Sequence, residues 1–416
     1  MKKNVKSVPE IRFPGFTDLW ELRKVGEFAV ESCEKGHNGQ EALKLTVKLH
    51  TKGVCKMEEK GQGSDNTQYY VRHAGQLIYG KQNFFNGAIG IVPQSLDGYE
   101  STKDVPTFDI DDNVCVEWFY QYIARPEIYK SQEVNCTGTG SKRFHVNAFF
   151  DMNIPIPLIE EQKKISDYFK VIDNLITLQE QRCQVLKRLK QCMLQKMFPK
   201  DGFDKPEIRF PGFTDSWEHR KFGEVLETVT DYVAAGSFAD LAKNVEYKDY
   251  PDYAQLIRTM DLKNGFTSAQ EVYVDKNAFD YLHRVNMDKE CIILPNIGNC
   301  GEVYYVKPES LPYEHNVLGP NAIFVRSETC ANNFLSILLQ AKDFQTKLKL
   351  IVSPNGQTKF NKTELKGIDL ILPGNVYEQE KIGQYFENLD SLIALQERKC
   401  KVLRELKKCM LQKMFV

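Results

Sequence analysis

The sequence predicts an α+β fold: two mixed α/β body domains separated by two long antiparallel coiled-coil helices, arranged as a pseudo-two-fold tandem repeat. Three observations carry this. The stretch Glu161 to Phe198 recurs as Glu378 to Phe415, with about 24 of 38 aligned positions identical and no gap. The opener PEIRFPGFTDLWELRKVGEF from Pro9 recurs as PEIRFPGFTDSWEHRKFGEV from Pro206. Between these flanks the two bodies show little identity, and the repeat offset grows from 197 at the opener to 217 at the helix. The frame is duplicated and the inserts differ.

The segments follow as 1–157 (opener and first body), 158–198 (central helix), 199–373 (linker and second body) and 374–416 (C-terminal helix). Each opener joins a Pro-Gly turn to an apolar cluster, which is Ile11, Phe13, Phe16 and Trp20 in the first copy. A repeated opener needs a similar neighbour in both halves. In the second half that neighbour is the end of the preceding helix, so the first opener should meet the end of the C-terminal helix and close the repeat. Residues 1 to 8 read as a loose tail.

In the first body GQLIYG, GAIGIVP and MNIPIP read as strands between turn signals. Val114 to Lys130 has helical spacing, ended or bent at Pro126. In the second body AQLIRTMDLKNG, CIILPNIG, AIFVRS and GIDLILP read as strands, and NNFLSILLQAKDFQTKLKLI as one amphipathic helix.

The long helices carry a heptad-like seam: Ile165, Ile172, Leu175, Gln179, Leu186 and Leu189, then Ile382, Leu389, Leu392, Gln396, Leu403 and Leu406. Tyr168 and Tyr385 fit the same spacing. The stripe can instead drift through Ile176 and Cys183. Either phase leaves polar residues at Gln179 and Gln396. Unbroken, each helix would be about 57 Å long.

No apolar run reaches the ~18 residues of a membrane span, and the N-terminus has no apolar signal-peptide core. Eleven cysteines without a CxxC pair argue against a disulfide framework and a zinc ribbon, which points to a reducing cytoplasm. A formal net charge of −1 counts against a stand-alone DNA binder, because such proteins usually carry a basic excess.

There is no phosphate loop, HExxH, GxSxG or Asn/Asp-Pro-Pro-aromatic tetrapeptide, so no catalytic residue is assigned. Ser353-Pro354-Asn355 and Leu294-Pro295-Asn296 read as loop turns. His37, His50, His73, His145, His219, His283 and His315 form no ligand pattern, and no metal site is assigned. Cys183 and Cys192 recur as Cys400 and Cys409, and read as small seam or partner-facing residues.

What remains are polar, basic loops in the bodies. Candidates for nucleic-acid contact are Arg72, Lys81, Asn83, Lys142 and Arg143 in the first, and Arg258, Asn299, Lys359, Asn361 and Lys362 in the second. Arg and Lys suit guanine edges and phosphates, and Asn suits adenine. Each loop alone reads first as solvated surface. The Lys-Arg-Phe loop at Lys142–Phe144 and the Lys-Phe loop at Lys359–Phe360 lie at corresponding places before the long helices.

Two unlike bodies, a Trp-containing opener before each, and a helix after each make one pattern. To it belongs the strand-to-helix passage Ile154-Pro155-Ile156-Pro157 to Glu161-Gln162 and Ile165, repeated as Ile371-Leu372-Pro373 to Glu378-Gln379 and Ile382. The pattern resembles the specificity (S) subunits of type I restriction-modification systems over nearly the whole chain. The later copy has Gly-Asn-Val-Tyr where the first has a second proline nearby, a local departure. The resemblance implies that each body is a target-recognition domain reading half of a bipartite double-stranded DNA site. It implies helices that space the domains and dock two methyltransferase (M) and two restriction (R) subunits. The chain would then be non-catalytic and hold no cofactor, with S-adenosylmethionine, ATP and Mg used by the partners. The competing readings are a coiled-coil protein-protein adaptor without DNA binding, and an enzyme fusing recognition to catalysis.

Overall fold

The computed structural model describes residues 8–57, 64–138, 141–200, 202–267, 270–353 and 358–416. Most of the expected N-terminal tail, the Thr139-Gly140 start of the first Lys-Arg-Phe loop, the Pro354-Asn355 turn and Gly356-Gln357 lie outside them. The chain forms two compact units, Met1–Glu180 with Arg398–Val416, and Gln181–Glu397.

In the first unit the opener leads into strand Glu21–Lys24, which pairs antiparallel with Asn153–Ile156, the strand feeding the central helix. Next comes an antiparallel four-stranded sheet in the order Ala29–Ser32, Thr107–Ile110, Leu77–Tyr79, Ile89–Ile91. Helix Val116–Ile123 packs on it and breaks before Pro126, which takes the first position of helix Pro126–Ser131, where its missing N–H costs nothing. Phe84, Phe108, Trp118, Phe119, Phe144 and Phe149 are all fully buried in one core. A three-stranded sheet, Lys35–Asn38, Gln68–Arg72 and Tyr99–Ser101, is added to this frame.

The second unit repeats the frame. Strand Glu218–Lys221 pairs with Asp369–Leu372, and a four-stranded sheet runs Thr228–Asp231, Ala322–Arg326, Cys291–Pro295, Tyr304–Val306. That is the strand order of the first unit, from a dissimilar sequence. The additions differ: here a sheet of Tyr273–Val274, Ala254–Ile257 and Asn316–Leu318 contains a parallel pair. The segment read as one strand, AQLIRTMDLKNG, is instead strand Ala254–Ile257 and a short helix, Thr259–Lys263. Asp261 folds back on Arg258 there and turns the chain. NNFLSILLQAKDFQTKLKLI is two helices, Asn332–Leu338 and Lys342–Ile351, broken at the place where Pro126 breaks their counterparts.

Several contacts of the frame are duplicated between the two halves. Ile11 N donates to Lys413 O at 3.0 Å, and Ile208 N to Lys196 O at 2.9 Å. Trp20 lies edge-on to Phe415 as Trp217 does to Phe198. The Gln162 side chain accepts from Cys115 N and donates to Pro157 O, and Gln379 does the same with Ala331 and Pro373. Both glutamines are buried, so each proline-to-helix passage is held by a side chain whose polar groups are satisfied internally. The first opener thus meets the end of the C-terminal helix.

The helices Ile159–Lys196 and Val376–Lys413 pair antiparallel within each unit. Lys407 meets Asp173 in the first, and Lys190 meets Asp390 in the second. Their seam is one residue out of phase with the expected one at every second step. Phe169, Ile176 and Cys183 point inward, as do Phe386, Ile393 and Cys400. Leu175, Leu392 and Leu406 are exposed at 41%, 44% and 37%, which corrects their assignment to the seam. Tyr168 and Tyr385 turn outward to stack edge-on against the opener residues Phe13 and Phe210, which fixes the phase. Ile165, Ile172, Gln179, Ile382 and Leu389 are buried in the seam, while Gln396, Leu186, Leu189 and Leu403 are half-buried.

Candidate nucleic-acid interface

In the first unit, Lys81 opens the turn Lys81–Asn86 directly after strand Leu77–Tyr79. The loop ending at Phe144 is pinned beside it. Phe144 N donates to Lys81 O at 2.8 Å, and the Phe144 ring stacks on Phe84 at 4.4 Å. The buried phenylalanine is the anchor and the basic residues before it are what it presents. Phe360, also buried, does the same for the second loop, where Gly298 N donates to Thr358 O beside Asn299 and Lys359. The structure thus brings together Lys81 with Lys142 and Arg143 in one unit, and Asn299 with Lys359 in the other.

Most of these cations already have carboxylate partners. Lys142 meets Glu133 at 2.6 Å, Arg143 meets Asp104 at 3.4 Å, and Lys362 meets Asp231 at 2.9 Å. Arg258 forms a bidentate pair with Asp261, both contacts at 2.8 Å, and stands apart from the Asn299–Lys359 loops. Asn83 accepts from Asn86, and Asn361 caps helix Lys362–Lys366 by accepting from Glu364 N.

Arg72 departs most from the expectation. It is 2% exposed, and its guanidinium donates to Ser101 Oγ, Thr107 Oγ1 and Ser32 O. Burial among neutral acceptors pushes its pKa down to about 10. Its donors tie two sheets together, so the residue is a strut of the body rather than part of its surface.

Two clefts occupy the same place in the duplicated fold. Each lies where the first strand of the four-stranded sheet meets the first residue of the short helix before the last strand. In the first unit a cleft of about 380 Å³ is lined by Glu31, Lys81, Lys103, His145 and Asn147, with Tyr70 at its base. In the second, a cleft of about 490 Å³ is lined by Thr230, His283, Arg284, Arg326 and Lys362. At the opener offset of 197, Glu31 and Ser32 correspond to Thr228 and Val229, and all four line their clefts. Val146, a further lining residue, and Lys362 are each the first residue of their short helix. Lys103 and Arg284 carry no motif in the sequence, and His145 and His283 read there only as scattered histidines. Among the described residues no three His, Cys, Asp or Glu side chains are placed to hold a metal ion, and no helix is long and apolar enough to cross a membrane.

The family model for the Type I restriction modification DNA specificity domain matches residues 104–188 and 214–405, about two thirds of the chain. The chain is 23% identical over 347 residues to the Type I restriction enzyme MjaVIII specificity subunit of Methanocaldococcus jannaschii, covering 81% of this chain and 74% of that one. In fold it is similar to the S subunit of a type I restriction-modification system from M. genitalium, with a TM-score of 0.58, 13% identity, and 98% and 99% of the two chains covered. A structure described in terms of complex assembly and conformational transition of the type I R-M system matches with a TM-score of 0.52, 15% identity, and 97% and 99% covered.

Proposed function

The chain belongs to the type I restriction-modification DNA specificity family, and from that premise we propose how its parts divide the work of a specificity subunit. Each body reads one half of a bipartite double-stranded DNA site. The long helices space the two bodies and dock two M and two R subunits. Chemistry belongs to those partners, which use S-adenosylmethionine for adenine methylation and ATP and Mg for restriction, in the cytoplasm. The chain itself is a non-catalytic subunit that holds no cofactor.

The observation that carries this reading is the contrast between frame and bodies. Key contacts of the openers and helices are repeated between the halves, while the bodies share a strand order and differ in additions and surface. A frame so duplicated gives two unlike readers the same attachment, which suits an asymmetric two-part target. An adaptor between two protein ligands gains nothing from the family match.

The test is methylation mapping in a host carrying the partner M subunit, with and without this chain. A methylated bipartite adenine motif should appear only with it. Replacing the second body alone should change one half of the motif and leave the other intact. A motif independent of the chain, or both halves changing together, would overturn the proposal.

A further inference from the structure

We propose that the two equivalent clefts are where each half meets its half-site, and that Lys81, Lys103 and Asn147 in the first unit and His283 and Arg284 in the second carry the contacts. This rests on the DNA-reading function proposed above and locates it.

Three observations support the assignment. The clefts coincide in the fold although the residues lining them do not: the backbone places them, and the side chains make them different. A device that reads two different half-sites from one frame needs that combination.

The second observation is charge availability. Lys142, Arg143 and Arg258 are held by carboxylates at hydrogen-bond distance or slightly beyond, and would have to surrender them to meet DNA. Lys81 and Lys103 make no ion pair among the described residues, and the side chain of Asn147 makes no hydrogen bond. Lys103 stands 5.8 Å from the ring centre of Tyr70, which Arg72 supports from its other contacts at 5.5 Å. In a chain with net charge −1, unpaired cations are what remains to neutralise phosphate.

The third is chemical mixture. Glu31 faces the first cleft beside the lysines. A carboxylate repels phosphate but accepts from the amino group of cytosine, so the cleft suits a base edge flanked by backbone. In the second cleft Lys362 is paired with Asp231, and Arg284 makes only a 3.5 Å bond to Ala234 O. Arg284 is therefore the readiest donor for guanine or phosphate there.

The experiment uses the full chain with its M subunit. Methylation is mapped for the wild type, for Lys103→Ala/Asn147→Ala and for His283→Ala/Arg284→Ala. Each double variant should relax the motif in one half only, a different half for each, with preference there falling about 5- to 150-fold per lost base contact. In binding to the wild-type target, Lys81→Ala and Lys103→Ala should each lower the salt dependence by about one counterion if they meet phosphate. An unchanged motif together with an unchanged salt slope overturns the cleft assignment while leaving the DNA-reading function intact. A wild-type chain that directs no bipartite motif overturns that function instead. Where a double variant fails to capture the M subunit, the single variant Lys103→Gln, at an exposed side chain, gives the same reading.

Discussion

Lys190 Nζ lies 2.7 Å from both carboxylate oxygens of Asp390, and the copy of this pair, Lys407 with Asp173, is bound at 2.6 and 2.8 Å. Each lysine stands at the repeat offset of 217 from the other, as does each aspartate, so one interaction is written twice in reversed chain order. Lys187 with Glu397 and Arg404 with Glu180 form a second such couple. Antiparallel pairing of like helices requires this reciprocity, because each side of the seam must offer what the other lacks.

These pairs set orientation more than stability. The aspartates are nearly half exposed, so each pair is worth roughly 0–1 kcal/mol. Lys190→Glu should lower the unfolding midpoint modestly, through like-charge repulsion, and Asp390→Lys in the same chain should restore it. A double-mutant cycle in urea, at low and high salt, checks both the coupling and its screening.

The ion pair between opener and helix start is different in kind. Arg12 grips Glu161 through two contacts of 2.6 and 2.8 Å, and Arg209 grips Glu378 in the same way. Glu161 is fully buried, so Arg12→Ala leaves a carboxylate with neither water nor partner and should cost about 3 kcal/mol or more. Arg209→Ala should cost the second unit a similar amount. Calorimetry should show the two variants lowering different parts of the transition if the units unfold separately.

Phe415 closes the first core. It is 4% exposed and packs among Trp20, Trp118, Tyr122 and Phe169, with ring centres about 6 Å apart. Phe415→Ala should cost about 3–5 kcal/mol, and Phe198→Ala the same in the second unit. Phe415→Leu should recover much of the loss. Denaturation midpoints of the three variants provide the check.

Two histidines give the first unit a pH dependence with a defined sign. Donating to the Glu100 carboxylate raises the His37 pKa above its ordinary 6.5, and donating to Glu34, with help from Asp97, raises that of His73. A raised folded pKa contributes stability that is fully present below about 6.5 and is lost as pH climbs through the folded values. The urea midpoint should therefore decline from pH 6 to 8, and His37→Ala/His73→Ala should flatten that decline. An unchanged slope in the double variant would place the titrating groups elsewhere.

Two of the readings that missed, the seam phase and the exposure of Arg72, share a physical cause. At Tyr168-Phe169 and Leu175-Ile176, two adjacent apolar residues both satisfy a seven-residue repeat within half a turn. Which one faces inward is decided by what stands outside, and here Phe13 claims Tyr168. Arg72 reads as a basic loop residue beside aromatics, yet strands brought together from 29 or more positions away surround it with acceptors. Local sequence holds no record of either neighbour.

The sequence by itself determined the duplication, the two long helices, several strands of each body and the meeting of the first opener with the C-terminal helix. Identical residues at a fixed offset must make identical contacts, so one half explains the other. Only the tertiary structure decided the phase of the seam, the burial of Arg72 and the placement of the two clefts. Each of these depends on side chains far apart in the chain converging on one point, and the residues that converge there are the ones the two bodies do not share.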